Sequence, residues 1–230
     1  SPATNLMTTN HKKIYVINHY NIFDKMILKK RLEMSKMINN YIKNLNVYDV
    51  LDIGTTNDEL NPSSNIIIKN IKKFKEYKSI SDQKIISNFF SKKLKKSITS
   101  NFSKKEIDQF SSDVVISNAT IEHVGGRNNQ KKMIKNIINL TKKIFIVTTP
   151  NKFYPIEFHT KIPFIHWLPK PIYRKILNYL GLSFYANEKN LNLLSKKDVE
   201  KIFFNQPIKY EIKFIKLFFL KSNFIVIGKK

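Results

Sequence analysis

Apolar positions along the chain change their period several times, and each change marks a predicted element. From residue 22 to 44, Ile22, Met26, Leu28, Leu32, Met37, Ile38 and Ile42 recur at mostly helical spacing, which predicts a leading amphipathic helix. Val47 to Ile53 is a short apolar run ending at Gly54, the pattern of a strand buried in a parallel sheet. Asp113–Ser117 and Lys143–Thr149 predict two more strands, the second stopped by Pro150, with weaker candidates at Lys78–Asp82 and Lys96–Thr99. Gln130–Leu140 is helical in period. Strands alternating with helices predict a parallel sheet with right-handed crossovers. The chain closes on two strand-like runs, Tyr210–Leu220 and Asn223–Ile227, joined by a tight turn at Lys221-Ser222, and this predicts an antiparallel hairpin.

The alternation breaks from Asn151 to Gly181. Pro155, Pro163, Pro169 and Pro171 fall inside this stretch and Pro150 just before it, together with the only tryptophan and two of the five histidines. Ile172–Leu180 reads as a short basic amphipathic helix ended by Gly181. Ser195-Lys196-Lys197-Asp198 reads as a capping box that opens a helix to Phe204. Residues 151–181 follow a strand at the carboxyl edge of the sheet, where ligands bind in open α/β folds, and so are expected to form a substrate-facing lid. Residues 1–21 read as a flexible N-terminus and 22–230 as one α/β domain.

Composition narrows the function classes. With 42% hydrophobic residues the chain can bury a core. No apolar run is long enough to span a bilayer, and no charged-then-apolar leader pattern is present, so a cytoplasmic chain is expected. The absence of cysteine excludes disulfides, thiolate metal ligands and cysteine nucleophiles. A net charge of +24 invites a nucleic-acid or anionic-membrane partner. Only Arg31, Arg127 and Arg174 are arginines, however, and arginine supplies the planar fork that phosphate and guanine recognition favours. The lysines accompany abundant Asn, Ile, Phe and Tyr, the residue set of AT-rich codons. Most of the charge is therefore read as a solvated surface, and nucleic acid is the less favoured partner. The basic 172–180 helix fits peripheral contact with an anionic membrane.

The chemistry concentrates at strand exits. Asp52-Ile53-Gly54 ends the first strand, where a glycine lets backbone approach a ligand and an acid can fix its polar groups. Three blocks in order, Val50-Leu51-Asp52-Ile53-Gly54, Ser112-Asp113-Val114-Val115-Ile116-Ser117 and Ile121-Glu122-His123-Val124-Gly125, resemble the class I S-adenosylmethionine-dependent methyltransferases, and more narrowly the methyltransferase type 11 group. Thr148 to Thr160, Pro163, His166 to Pro169 and Asn190 to Leu194 resemble one subgroup of it. The resemblance spans about residues 47–228.

That resemblance implies a Rossmann-like, mostly parallel seven-stranded sheet with a C-terminal antiparallel hairpin and helices on both faces. It implies S-adenosylmethionine as cofactor, with Asp52, Gly54 and Thr55 near its amino-acid portion, Asp82 at the ribose, Asn101 near the adenine, and Asn118 and Ala119 beside the sulfonium. Some ubiquinone-pathway relatives carry a glutamate three residues before the Glu-His pair, which makes a metal site. Ala119 stands there in this chain, so no metal is expected. Methyl transfer is an in-line displacement that needs positioning and, for a hydroxyl acceptor, a base. His123, His159 and His166 are the candidate bases. Glu122, Tyr154, Glu157, Phe158 and Trp167 are the candidate acceptor contacts, since aromatic faces also suit a sulfonium cation. The expected reaction is methyl transfer to an oxygen or nitrogen of a small-molecule, sugar or lipid-linked acceptor. An RNA or DNA methyltransferase and a non-catalytic binding protein of the same fold are the rival readings.

Overall fold

The computed structural model describes residues 22–57, 63–71 and 74–230. The expected flexible N-terminus, 1–21, lies outside the described residues. Seven strands form one sheet: β1 (Asp49–Ile53), β2 (Glu76–Ser81), β3 (Lys92–Lys95), β4 (Ser112–Asn118), β5 (Thr141–Pro150), β6 (Lys209–Leu217) and β7 (Leu220–Lys229). Their order is β3-β2-β1-β4-β5-β7-β6. The first five run parallel, and β7 is antiparallel to both β5 and β6. The helices are α1 (Ile22–Ile42), α2 (Ile66–Lys69), α3 (Lys104–Phe110), α4 (Arg127–Leu140), α5 (Lys170–Tyr179), α6 (Ser183–Ala186) and α7 (Lys196–Phe203). No helix among the described residues is long and apolar enough to cross a membrane.

The two-residue period of the strands divides the core in two. Ile144 and Ile146 of β5 join Val114, Ile116, Ile225 and Ile227 against Met34, Ile38 and Ile42 of α1 and Ile67 and Ile68 of α2. Phe145 and Val147 alternate with them and point the other way, toward Met133, Ile134 and Ile137 of α4 and Val199, Ile202 and Phe203 of α7. Both faces of the central strands are covered, which explains why those strands read as continuous apolar runs.

Two expected elements move. The strand expected at 96–99 lies at 92–95, paired Lys78↔Lys92 to Ser81↔Lys95. It is an edge strand with one apolar residue, Leu94, so it carries no period; Ile98 drew the expectation because it is buried, but it lies in the turn that follows. The hairpin turns at Phe218-Phe219, not at Lys221-Ser222. Both phenylalanines hold positive φ (50° and 65°), a conformation usually given to Gly or Asn in two-residue hairpins. Residue type therefore hid the turn.

The segment between β5 and α7 makes its own small apolar cluster from Tyr173, Leu177, Tyr185, Ala186 and Leu191. Asn151 bridges Leu194, and Lys152 N–H donates to the Leu194 carbonyl at 2.8 Å, so the insertion leaves and rejoins the sheet at one place. The capping box at Ser195 and Asp198 is present, and α7 runs to Phe203.

Candidate active site

Strand order reverses between β1 and β4, and their carboxyl ends open a crevice of the kind that binds ligands in such sheets. Gly54 leaves β1 there at φ +87°, and a Cβ on it would lie 2.1 Å from Thr120 Oγ1. Only glycine fits both the conformation and the space. Its neighbours are tied inward. Thr55 Oγ1 donates to Asp52 Oδ2 (2.6 Å) and accepts from Ser79 Oγ (2.8 Å), while Ser81 Oγ donates to the Thr55 carbonyl (2.7 Å). Burial lifts the Asp52 carboxyl to about 6, against the Thr55 hydrogen bond that favours its charge. Asp82 and Asn101 are exposed, just past the carboxyl ends of β2 and β3. These five residues therefore share the carboxyl edge of the β3-β2-β1 half of the sheet.

Across the reversal, Asn118 ends β4 and accepts from Thr148 Oγ1 (2.6 Å), and Ala119 follows at φ +51°. Both line a cavity of about 100 Å³ together with Pro150, Phe158, His159, Asn223 and four α1 residues, Ile27, Lys30, Arg31 and Met34.

The short 3-10 turn Ile121–His123 places Glu122 and His123 beside this cavity's His159. Glu122 is fully buried; Oε2 accepts from Thr149 Oγ1 (2.9 Å) and Oε1 has no partner. His123 Nδ1 lies 2.6 Å from the Asn190 carbonyl and His159 Nδ1 lies 2.6 Å from Glu157 Oε1. A carbonyl and a carboxylate can only accept, so each Nδ1 carries its hydrogen. The two Nε2 atoms, 3.0 Å apart, then face each other lone pair to lone pair unless one proton lies between them. Burial acts to raise Glu157, but the charge of His159 and hydrogen bonds from His159 and Thr160 hold it down at about 2. His159 is raised, because Glu157 outweighs the burial that would lower it. His123 is lowered, chiefly by burial. The opposed shifts assign the shared proton to His159.

Glu122, His123 and His159 bring three potential ligand atoms within 4.8 Å of one another, the donor set of a cation site. The 3.0 Å separation is a hydrogen-bond length. Two imidazoles on a tetrahedral zinc stand roughly 3.3 Å apart at the usual Zn–N distance, so a small shift of either ring would seat an ion where the proton fits now.

The other expected residues lie elsewhere. His166 is buried and apart from this pair; its Nε2 donates to the Tyr154 carbonyl (2.8 Å) and its Nδ1 has no partner. Tyr154 is buried and stacks on Phe158 with ring centroids 5.1 Å apart. Trp167 is exposed and packs edge-on against Phe164. Phe158 does reach the cavity. Sequence reasoning missed Lys30 and Arg31. Their signal was available: Lys30 stands four residues after Met26 and four before Met34, inside the apolar stripe of α1.

Solved structures match this architecture along nearly all of the chain. Magnesium protoporphyrin IX methyltransferase (ChlM) from Synechocystis PCC 6803, with bound SAH, aligns at TM-score 0.55 and 12% identity over 98% of this chain and 94% of its own. The methyltransferase domain of a bacterial Hen1 aligns at TM-score 0.53 and 14% identity over 88% of this chain and 100% of that one. The N-methyltransferase NodS from Bradyrhizobium japonicum WM9, in complex with S-adenosyl-L-homocysteine, aligns at TM-score 0.51 and 7% identity over 86% of each chain. No protein-family model and no curated protein matches the sequence. The chain has the Rossmann-like fold of the class I S-adenosylmethionine-dependent methyltransferases.

Proposed function

We propose that the protein is an S-adenosylmethionine-dependent methyltransferase acting on an oxygen or nitrogen of a small-molecule, sugar or lipid-linked acceptor. The observation that carries this is the cavity against Asn118 and Ala119, at the strand-order reversal, with a polarised imidazole on its wall. The cofactor would lie along the edge formed by Gly54, Thr55, Asp82 and Asn101, with Asp82 accepting from the ribose hydroxyls. The acceptor would enter the cavity and attack the methyl carbon in line. The C–S bond breaks as the new bond to carbon forms, and the acceptor's proton passes to Nε2 of His159 once the proton it shares with His123 has left to solvent. Glu157 fixes the His159 tautomer and offsets the imidazolium charge that develops.

Calorimetric titration with S-adenosylhomocysteine tests the cofactor half. Micromolar binding is expected, with NAD inert. Asp82→Ala should weaken it about tenfold or more, the effect of losing a hydrogen bond to a charged group, with an unchanged melt. No binding at millimolar concentration would overturn the reading.

The protein is further proposed to work in the cytoplasm at the face of an anionic membrane. The 151–181 insertion exposes Phe153, Phe164, Trp167, Leu168, Ile172 and Tyr179 among Lys152, Lys161, Lys170 and Lys175, the mixture of an interfacial surface. Co-flotation with phosphatidylglycerol vesicles, but not phosphatidylcholine vesicles, should be lost in Trp167→Ser/Ile172→Ser. Equal flotation of the variant would remove the membrane from the proposal.

A further inference from the structure

Lys30 is the most unusual charge in the molecule. Its residue is 5% exposed, and its ammonium lies 3.5 Å from the centroid of the Phe158 ring. Arg31 beside it donates from Nη1 to the Ser63 carbonyl (2.6 Å) and hydroxyl (3.2 Å), which steadies the guanidinium at the cavity wall. Among the described residues no carboxylate forms an ion pair with either cation; Glu122 is the acid whose charge reaches both. A buried cation beside a half-buried one, with no described acid paired to either, is costly, because buried charges are normally paired. Asn223 also lines the cavity, and its Oδ1 is buried without a hydrogen-bond partner.

We propose that this cavity receives the acceptor by an anionic group, a carboxylate or a phosphate, bound by Lys30 and Arg31, with a neighbouring hydroxyl or amine of the acceptor donating to Asn223. The assignment rests on the methyltransferase reading above and adds the acceptor's chemical class. Size supports a head-group pocket. About 100 Å³ is less than the ~150 Å³ cavity that takes benzene, so a carboxylate with its hydroxyl-bearing carbon fits and the rest of the acceptor extends outward. Phe158 serves Lys30 in the free protein as a cation–π partner and, once an anion arrives, as an apolar wall that strengthens the charge pair. The neighbouring His159 lies on the same cavity, so an anion held here keeps the acceptor's hydroxyl or amine within reach of the base.

The test uses lactate, its neutral amide lactamide, and inorganic phosphate as probes. Each is titrated into the protein at constant ionic strength, with and without S-adenosylhomocysteine. Lactate or phosphate should bind and raise the melting temperature while lactamide does not, and the stronger of the two assigns carboxylate or phosphate. Lys30→Met should weaken that anion about tenfold or more, as losing a hydrogen bond to a charged group does, and leave the affinity for S-adenosylhomocysteine unchanged. Arg31→Gln provides an independent second variant. Three outcomes would overturn the proposal: lactamide binding as well as lactate, both variants binding the anion like the parent, or Lys30→Met losing S-adenosylhomocysteine, which would put the cation on the cofactor's own carboxylate. A parent protein that ignores S-adenosylhomocysteine yet binds the anion through Lys30 counts against methyl transfer alone.

Discussion

Individual side chains in this site hold protonation states set by their neighbours, and this makes their behaviour with pH predictable. His159 gains its raised affinity for a proton from Glu157. A base must be deprotonated to act, so turnover should rise with pH through a limb lying above the ordinary imidazole value of about 6.5. Glu157→Gln removes the carboxylate and should move that limb to lower pH. It should also reduce the maximal rate roughly 10²–10⁴-fold, the usual worth of a positioned base. A limb that stays in place would free His159 of that role. Chelation by EDTA should leave turnover unchanged if a proton bridges the histidines; loss restored by zinc or manganese would instead make Glu122, His123 and His159 a cation site. Lys30 gives the opposite sign. Burial first, and then the charge of Arg31, bring its ammonium down to about 7. Above that pH the unfolded chain binds the extra proton, so stability contributed by this group rises with pH from about 7 toward the free-lysine value of about 10.4. Lys30→Met should therefore raise the melting temperature most below pH 7, by roughly 1–4 kcal/mol of stability, and differential scanning calorimetry at pH 6 and 9 checks this.

At the scale of elements, legibility followed burial. β1, β4, β5, α4 and β7 announced themselves because they face packed cores, and burial imposes a period on sequence. β3 did not, because one apolar residue on an edge strand leaves no pattern, and the Phe218-Phe219 turn did not, because its residues contradict its backbone. The crevice at the end of β1 was legible through Gly54, where space and φ both demand glycine. Gly54→Ala should lose cofactor binding and at least about 1–2 kcal/mol of stability, the ordinary cost of a left-handed non-glycine residue. Lys30 and Arg31 were not legible as site residues because the cavity residues they join, from Asn118 to Asn223, stand roughly ninety to two hundred positions later in the chain; only the place of Lys30 in an apolar stripe marked them. The capping box at Ser195 was read directly from spacing. Ser195→Ala should cost about 1 kcal/mol in a urea melt without touching cofactor affinity.

For the molecule as a whole, charge is organised differently at the two ends of the sheet. At the amino ends of the strands Lys78 pairs with Asp49 at 2.7 Å, both nearly buried, and Asp49 also accepts from the Asp113 N–H at 2.8 Å. This end is closed and structural. Lys78→Met should cost about 3–5 kcal/mol by stranding Asp49, visible as a lowered melting temperature with the anion response intact. At the carboxyl ends no described acid forms an ion pair with Lys30 or Arg31, one proton fits between the two histidines, and Asp82 is exposed. The division matches a sheet that is stabilised from one end and works from the other.

The bridge between Asn151 and Leu194 has a consequence for inheritance. A loop whose two feet stand side by side can be cut out and replaced without disturbing the strand it leaves or the helix it rejoins. Its internal apolar cluster travels with it. Any acceptor contact carried on such a cassette can change by wholesale exchange between relatives while the strand exits at Gly54 and Asn118 stay in place. Grafting residues 152–193 onto another protein of this architecture should then transfer only what Phe158 and His159 contribute, and the anion preference should follow only when Lys30 and Arg31 are grafted with them.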